Sequence, residues 1–252
     1  MVKRALVIVA ALVLAVPAAA AIWRPAPRAT FQIQFAGELD LSVQAQVYEV
    51  DYEVDATIVE RLHATGRRVV CYVNGGAWEE WRPDAAAFPA ALLGKPLDGW
   101  PGERWLDIRR LAALAPIMRA RLEICREKGF DAADVDNVNG YTNPSGFPLK
   151  AADQLRYNRW LAATAHRVGL AIALKNDGDQ AKALAPVFDF AVVEECFQYG
   201  ECELYLPFVK ARKPVFDLEY TLAPARFCAK ARKLGIVAIS KNRDLDAHRV
   251  AC

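Results

Sequence analysis

The chain has 252 residues, 54% of them hydrophobic, with 32 lysines and arginines against 30 aspartates and glutamates. That near-balance excludes the strongly basic footprint of a nucleic-acid partner, and the length suits one large domain with no Gly/Ser/Pro-rich linker to divide it. Three scattered histidines (His63, His166, His248) and no CxxC pair argue against a metal centre, and nothing in the sequence calls for a cofactor.

Residues 1–21 read as a secretory signal peptide: Lys3 and Arg4, an apolar run from Ala5 to Val16, Pro17, then small alanines offering a cleavage site. The run falls short of the roughly 20 residues a membrane span needs, so no stable membrane association is expected after cleavage. Without Lys3 and Arg4 the remainder, 22–252, balances at 30 basic and 30 acidic residues. Six cysteines in an exported chain invite disulfides. Cys196 and Cys202 are close enough to close a short loop, Cys71 reads as a core or bridged residue, and the other connectivity stays open.

Along the rest of the chain, short apolar and β-branched runs alternate with helical patterns. Strands are predicted at 31–34, 45–50, 68–73, 132–135, 171–174, 190–193, 214–218 and 236–240. Helices are predicted at 56–65, 111–128, 150–168, 180–185 and 224–234, four of them closing on Gly66, Gly129, Gly169 and Gly235. Eight strands in this alternation, without a glycine-rich phosphate loop after the first, predict an α/β fold in the form of a single (β/α)8 TIM barrel over 22–252.

A parallel barrel builds its active site where the strands end, so acids at those ends carry the chemical argument. They occur as Glu49 and Asp51, Asp134 and Asp136, Glu194 and Glu195, and Asp217 and Glu219, with Lys175-Asn176-Asp177 after the fifth strand and Gly75-Gly76 after the third. Two carboxylates across a sugar suffice for glycosidic hydrolysis, one protonating the leaving oxygen while the other attacks or activates water. Asp136 and Glu194, each directly after an apolar strand, are the best catalytic pair. Trp78, Trp81, Trp100, Trp105, Tyr141, Phe147, Tyr199 and Tyr220 lie in the same loops, where aromatic faces can pack against sugar rings. Asp107 serves either the start of the following helix or a ligand. No Gly-x-Ser-x-Gly elbow supports an esterase. A Schiff base on Lys175 and a non-catalytic polysaccharide-binding barrel are the competing readings.

The segments Val47-Tyr48-Glu49-Val50-Asp51, Cys71-Tyr72-Val73-Asn74-Gly75-Gly76, Trp100-Pro101-Gly102-Glu103-Arg104-Trp105-Leu106-Asp107, Asp136-Asn137-Val138-Asn139-Gly140-Tyr141, Lys175-Asn176, Glu194-Glu195-Cys196-Phe197 and Glu219-Tyr220 resemble glycoside hydrolase family 114, the endo-α-1,4-polygalactosaminidases. The resemblance implies a TIM barrel acting on α-1,4-linked galactosamine polymer, with Asp136 and Glu194 as catalytic carboxylates. It gives the acidic mouth a purpose, because deacetylated galactosamine is cationic and Asp51, Asp107, Glu195 and Glu219 are placed to meet its ammonium groups. Tyr72, Asn137, Tyr141, Lys175 and Tyr220 complete the expected substrate contacts. The sequence departs from the family pattern at Val193 and Asn139, where asparagine and aspartate are common.

Overall fold

The computed structural model describes residues 21–252, so the expected leader lies, but for Ala21, outside the described residues. In chain order the elements are β1 (Phe31–Ile33), β2 (Val47–Asp51), α1 (Ala56–Ala64), β3 (Arg68–Asn74), β4 (Ala77–Glu79), β5 (Leu93–Leu97), β6 (Trp100–Leu106), α2 (Leu111–Glu127), β7 (Ala132–Asp136), α3 (Ala151–Arg167), β8 (Ala171–Lys175), α4 (Ala181–Leu184), β9 (Phe190–Glu194), α5 (Cys196–Tyr199), α6 (Leu206–Lys210), β10 (Val215–Glu219), α7 (Pro224–Leu234), β11 (Val237–Ser240) and β12 (Val250–Ala251). No helix among the described residues is long and apolar enough to cross a membrane.

β1, β2, β3, β7, β8, β9, β10 and β11 are the eight expected strands, all parallel and neighbours in that order, and they form the (β/α)8 barrel. Between β11 and β1 the seam is bridged by the end of the chain. β12 runs antiparallel on β11, Arg249 Nε donates to Phe31 O at 2.7 Å, and Phe35 N donates to Leu245 O at 2.8 Å.

Side chains on a strand alternate between faces, and that alternation separates two cores. Phe31, Val70, Ala132, Phe190, Val192 and Phe216 fill the barrel interior, with Phe31 stacked on Phe216 at 4.5 Å. Each buried phenylalanine contributes about 1.5–3 kcal/mol by leaving water. Val69, Cys71, Val135, Leu174, Val193 and Val215 face outward onto helix residues such as Leu114, Leu122 and Leu161. Asp55 opens α1 by accepting Thr57 N, and Gly66, Gly129, Gly169 and Gly235 all take the left-handed conformation at which L-residues are penalised.

The polar turns at the base of the barrel repeat one device. Asp131 precedes β7 and accepts from Val69 N, His63 Nε2 and Arg68; Asp189 precedes β9 and accepts from Ile172 N, His166 Nε2 and Arg24. His63 and His166 are thus structural partners of buried carboxylates.

Cys71–Cys125 ties β3 to α2, Cys196–Cys202 closes the short loop expected from the sequence, and Cys228–Cys252 fastens the seam to α7. The sulfurs of Cys196 and Cys202 are bonded to each other and so are not metal ligands.

One part of the architecture was not expected. Residues between β3 and α2, read from the sequence as loop, form a second sheet, antiparallel, in the order β4-β6-β5. It stands over the C-terminal mouth of the barrel, with Leu106 N donating to Gly76 O at 2.9 Å.

Candidate active site

A cavity of about 310 Å³ opens at the C-terminal end of the strands. Asp136, Glu194, Lys175, Tyr72, Asn137 and Asn176 form its floor, and Phe35, Leu97, Trp100, Glu103, Trp105, Asn139 and Asn143 are among its walls. Strand alternation explains the floor. With Ala132 and Phe190 pointing inward, Asp134, Asp136, Val192 and Glu194 point inward too, as do Tyr72 and Lys175 on β3 and β8.

Asp136 is held by three donors. The Tyr72 hydroxyl donates to Oδ2 at 2.8 Å, the Asn137 backbone N–H donates to Oδ1 at 2.7 Å, and Lys175 Nζ stands 3.4 Å from Oδ1. Glu194 accepts from the Tyr220 hydroxyl on Oε1 and from Asn176 Nδ2 on Oε2 at 3.3 Å, while Lys175 Nζ lies 3.6 Å from Oε2. Asn176 also accepts the Glu194 backbone N–H at 3.0 Å, so one amide fixes both the backbone and the carboxylate. Burial and the neighbouring carboxylates push the Tyr72 and Tyr220 hydroxyls well above their ordinary pKa, which keeps both as donors.

Lys175 is fully enclosed and bridges the pair. Burial works against its charge, but Asp136, Glu194, Asp134 and Glu49 outweigh it and hold the ammonium well above the usual lysine range. A Schiff-base lysine needs the opposite, a free amine at neutral pH, so this environment disfavours that reading. Beneath Lys175, Glu49 and Asp134 are both completely buried, and no amide or hydroxyl donor reaches either carboxylate. They lie against each other. Burial, then mutual repulsion, pushes Glu49 well above its ordinary value, and burial pushes Asp134 up to about 7, so the pair holds a proton between them at neutral pH.

Three inward residues are each followed by a non-glycine residue in the left-handed region: Asn137 (φ 60°) after Asp136, Asn176 (φ 50°) after Lys175, and Glu195 (φ 52°) after Glu194. Backbone of this kind costs about 1–3 kcal/mol and persists only where surrounding contacts enforce it. Here it ends each strand directly after its inward-facing side chain. Gly75 and Gly76 serve the same junction. A Cβ on Gly76 would lie 1.7 Å from Asn137 O, so the paired glycines let the end of β3 approach the end of β7.

Several expected substrate contacts are engaged elsewhere. Asp51 is gripped bidentately by Arg82 at 2.8 and 2.7 Å, outside the cavity. Asp107 is buried against Arg109 on the approach to α2. Glu219 faces the helix layer with Val215 and Asp217, and accepts from Phe197 N at 2.7 Å to hold the start of α5. Glu195 is buried and accepts from Thr221. Tyr141 sits in a short turn near Asp177. None of these five lines the cavity, and the four carboxylates among them already have partners. Of the aromatic loop residues, Trp100 and Trp105 line it. Trp78 anchors its loop through Ala85 O, and Trp81, Phe147 and Tyr199 lie outside. Asn139 lines the cavity, whereas Val193 is buried on the outer face of β9.

Glu103 and Asn74 were not singled out as site residues from sequence, and Glu49 and Asp134 were named there only as members of the ring of strand-end acids. Asn74 receives Asn137 Nδ2 at 3.2 Å and donates to Glu103 at 3.2 Å, linking the barrel floor to the inserted sheet. Its inward position at the end of β3, two residues after Tyr72, was the available signal.

The model of the glycoside-hydrolase family GH114 matches residues 14–252. The crystal structure of Aspergillus fumigatus Ega3 in complex with galactosamine is similar over 92% of this chain and 98% of that one, at 36% identity and a TM-score of 0.87. The glycoside hydrolase domain of PelA from Pseudomonas aeruginosa shares the fold, at 15% identity and a TM-score of 0.67 over 88% of this chain and 98% of that one. No curated protein sequence matches. With the family model spanning nearly the whole chain and the barrel carrying its polar cavity at the strand ends, the protein belongs to glycoside-hydrolase family GH114 and is a glycoside hydrolase.

Proposed function

We propose that the protein is an exported enzyme that hydrolyses α-1,4-linked galactosamine-containing polysaccharide, with Asp136 as nucleophile and Glu194 as general acid and base. The observation that carries this reading is a buried cation, Lys175, standing between these two carboxylates on the cavity floor. Asp136 is fixed in place by the Tyr72 hydroxyl, the Asn137 backbone N–H and Lys175, which suits the attacking group. Glu194 is the more exposed of the two and suits proton exchange with the leaving oxygen and then with water. Similarity to a fungal protein solved with galactosamine supports an amino-sugar substrate, and three disulfides suit an oxidising compartment.

In the first step Asp136 attacks the anomeric carbon while Glu194 protonates the departing oxygen. In the second, Glu194 takes a proton from water, which displaces Asp136 and frees the sugar. Because one ammonium lies 3.4 Å from one carboxylate and 3.6 Å from the other, the two oxygens it contacts are no more than about 7 Å apart. That bound accommodates the roughly 5–5.5 Å separation of retaining enzymes and reaches only the lower end of the roughly 6.5–9.5 Å range of inverting ones, which supports retention. Retention follows as the proposed outcome.

The test is to incubate residues 22–252 with partly deacetylated α-1,4-galactosaminogalactan, beside Glu194→Gln, and to score soluble oligosaccharides by mass spectrometry and their first-formed anomer by proton NMR. Oligomers of α configuration from the wild type alone are expected. Release of nothing by the wild type would overturn the proposal, and β products would overturn retention.

A further inference from the structure

Four carboxylates line the cavity: Asp98, Glu103, Asp136 and Glu194. Asp136 and Glu194 are engaged by Tyr72, Tyr220 and Lys175, and Asp98 is exposed in the turn between β5 and β6. Glu103 is different. It is 7% exposed, and its single side-chain hydrogen bond is from Asn74 Nδ2 to Oε2 at 3.2 Å. No ion pair among the described residues reaches it. Arg82, the cation behind it, is taken up by Asp51, Glu53 and Glu79. The remaining oxygen, Oε1, has no hydrogen-bond partner among the described residues, and the residue lines the cavity. Burial, with Glu79 and Asp136 nearby, raises this carboxyl to about 7. It is a buried acid at a ligand surface with no cation of its own, and such a group is costly unless something pairs with it.

Its placement indicates what pairs with it. On β6, Glu103 and Trp105 are two residues apart and therefore share a face, and both line the cavity. The amide chain from Glu103 through Asn74 and Asn137 ends on Asp136. A pyranose ring packed on Trp105 with its anomeric carbon toward Asp136 therefore presents a ring substituent to Glu103. We infer that Glu103, with Trp105 against the ring, forms the subsite that takes the ammonium group of a deacetylated amino sugar and so sets a preference for cationic over N-acetylated rings. The inference rests on the proposed function and deepens it.

An ammonium offers three donors and a full charge to the free Glu103 oxygen. An acetamide offers one donor, adds bulk, and leaves the acid uncompensated, and sites built to pair a polar group reject analogues that lack it. Glu103→Gln retains the shape and an oxygen for Asn74 but removes the charge.

The experiment measures binding by calorimetry in the Glu194→Gln protein, with and without Glu103→Gln, using α-1,4-galactosamine oligomers and their N-acetylated counterparts. Affinity for the galactosamine oligomer is expected to fall about 10- to 100-fold on losing the charge, with the preference over the N-acetylated oligomer falling in proportion. At pH 6, binding of the cationic oligomer should also release protons, seen as a dependence of the heat on buffer, and Glu103→Gln should abolish that release. Glu103→Asp, which keeps the charge but withdraws it, should fall between the two and serves if the glutamine variant folds poorly. An unchanged preference, equal loss on both oligomers, or no binding of the cationic oligomer would each overturn the inference. Wild-type hydrolysis is scored separately. Products from the wild type with an unchanged Glu103→Gln preference would remove this subsite and leave the hydrolase reading standing.

Discussion

The Tyr72 hydroxyl donates to Asp136 at 2.8 Å while its ring packs on Phe35 at 4.6 Å, so one side chain joins the cavity wall to the proposed nucleophile. Tyr72→Phe removes the donor and keeps the packing. A hydrogen bond to a charged group is worth about 1.5–3 kcal/mol, so kcat/KM on galactosamine oligomers should fall about 10- to 100-fold with the melting temperature nearly unchanged. Unaltered kcat/KM would show that Tyr72 does not hold the reacting carboxylate.

Lys175→Met leaves Asp134, Asp136 and Glu194 without their shared cation. Breaking such a buried arrangement costs about 3–5 kcal/mol, and hydrolysis should be lost. Uncompensated carboxylates recover by taking up protons, so the deficit should be larger at pH 8 than at pH 5. Thermal melts at both pH values check this, and an equal deficit at the two would argue against electrostatic bridging.

The pair beneath Lys175 gives a further pH signature. Glu49 and Asp134 have folded pKa values above their ordinary ones, Asp134 at about 7, so the folded state binds more protons than the unfolded chain between about pH 4 and 7 and stability falls as pH rises through that window. Glu49→Gln replaces a proton-sharing acid with a fixed donor. It should melt higher than the wild type at pH 8, with the gap closing toward pH 4, and a gap of the same size at both would contradict a shared proton.

Asp189 works in the opposite direction. His166, Arg24 and Ile172 N hold its carboxyl below the ordinary 3.8 despite burial. Its contribution is fully present above that value and is lost as pH falls through the lower folded pKa. Asp189→Asn should cost about 1–3 kcal/mol at pH 7 and progressively less in acid. Because Arg24 loses its anchor, the segment near residue 24 should also become a site of limited proteolysis, and resistance equal to the wild type would show that the ion pair does not hold it.

All eight barrel strands were legible, because each is a short apolar run that the barrel buries on both faces, and the boundaries differ by only one or two residues. Asp136 and Glu194 were legible as acids at the ends of such runs. What the sequence reading lacked was the face each acid takes. Asp217 and Glu219 follow an apolar strand as convincingly as Asp136 does, yet inward Phe216 and Leu218 turn both toward the helices. Applying alternation from one known inward residue separates them. The inserted sheet escaped for another reason. Pro96 in β5 and Pro101-Gly102 in β6 are turn signals, tolerated here because β5 is an edge strand and both residues lie near strand ends. With β6 read as loop, Glu103 and Trp105 had no common face, and the acids that do face the mouth were outnumbered by acids that do not.

The separate sheet divides labour between two pieces of chain. The proposed catalytic carboxylates project from the barrel strands β7 and β9, while Trp100, Glu103 and Trp105, which line the cavity wall, belong to the inserted segment 77–106 between β3 and α2. Drift or deliberate exchange within that segment can therefore retune which sugar is accepted while the bond-breaking apparatus stays as it is. A library confined to residues 93–106 is the natural starting point for moving this scaffold to a new polymer.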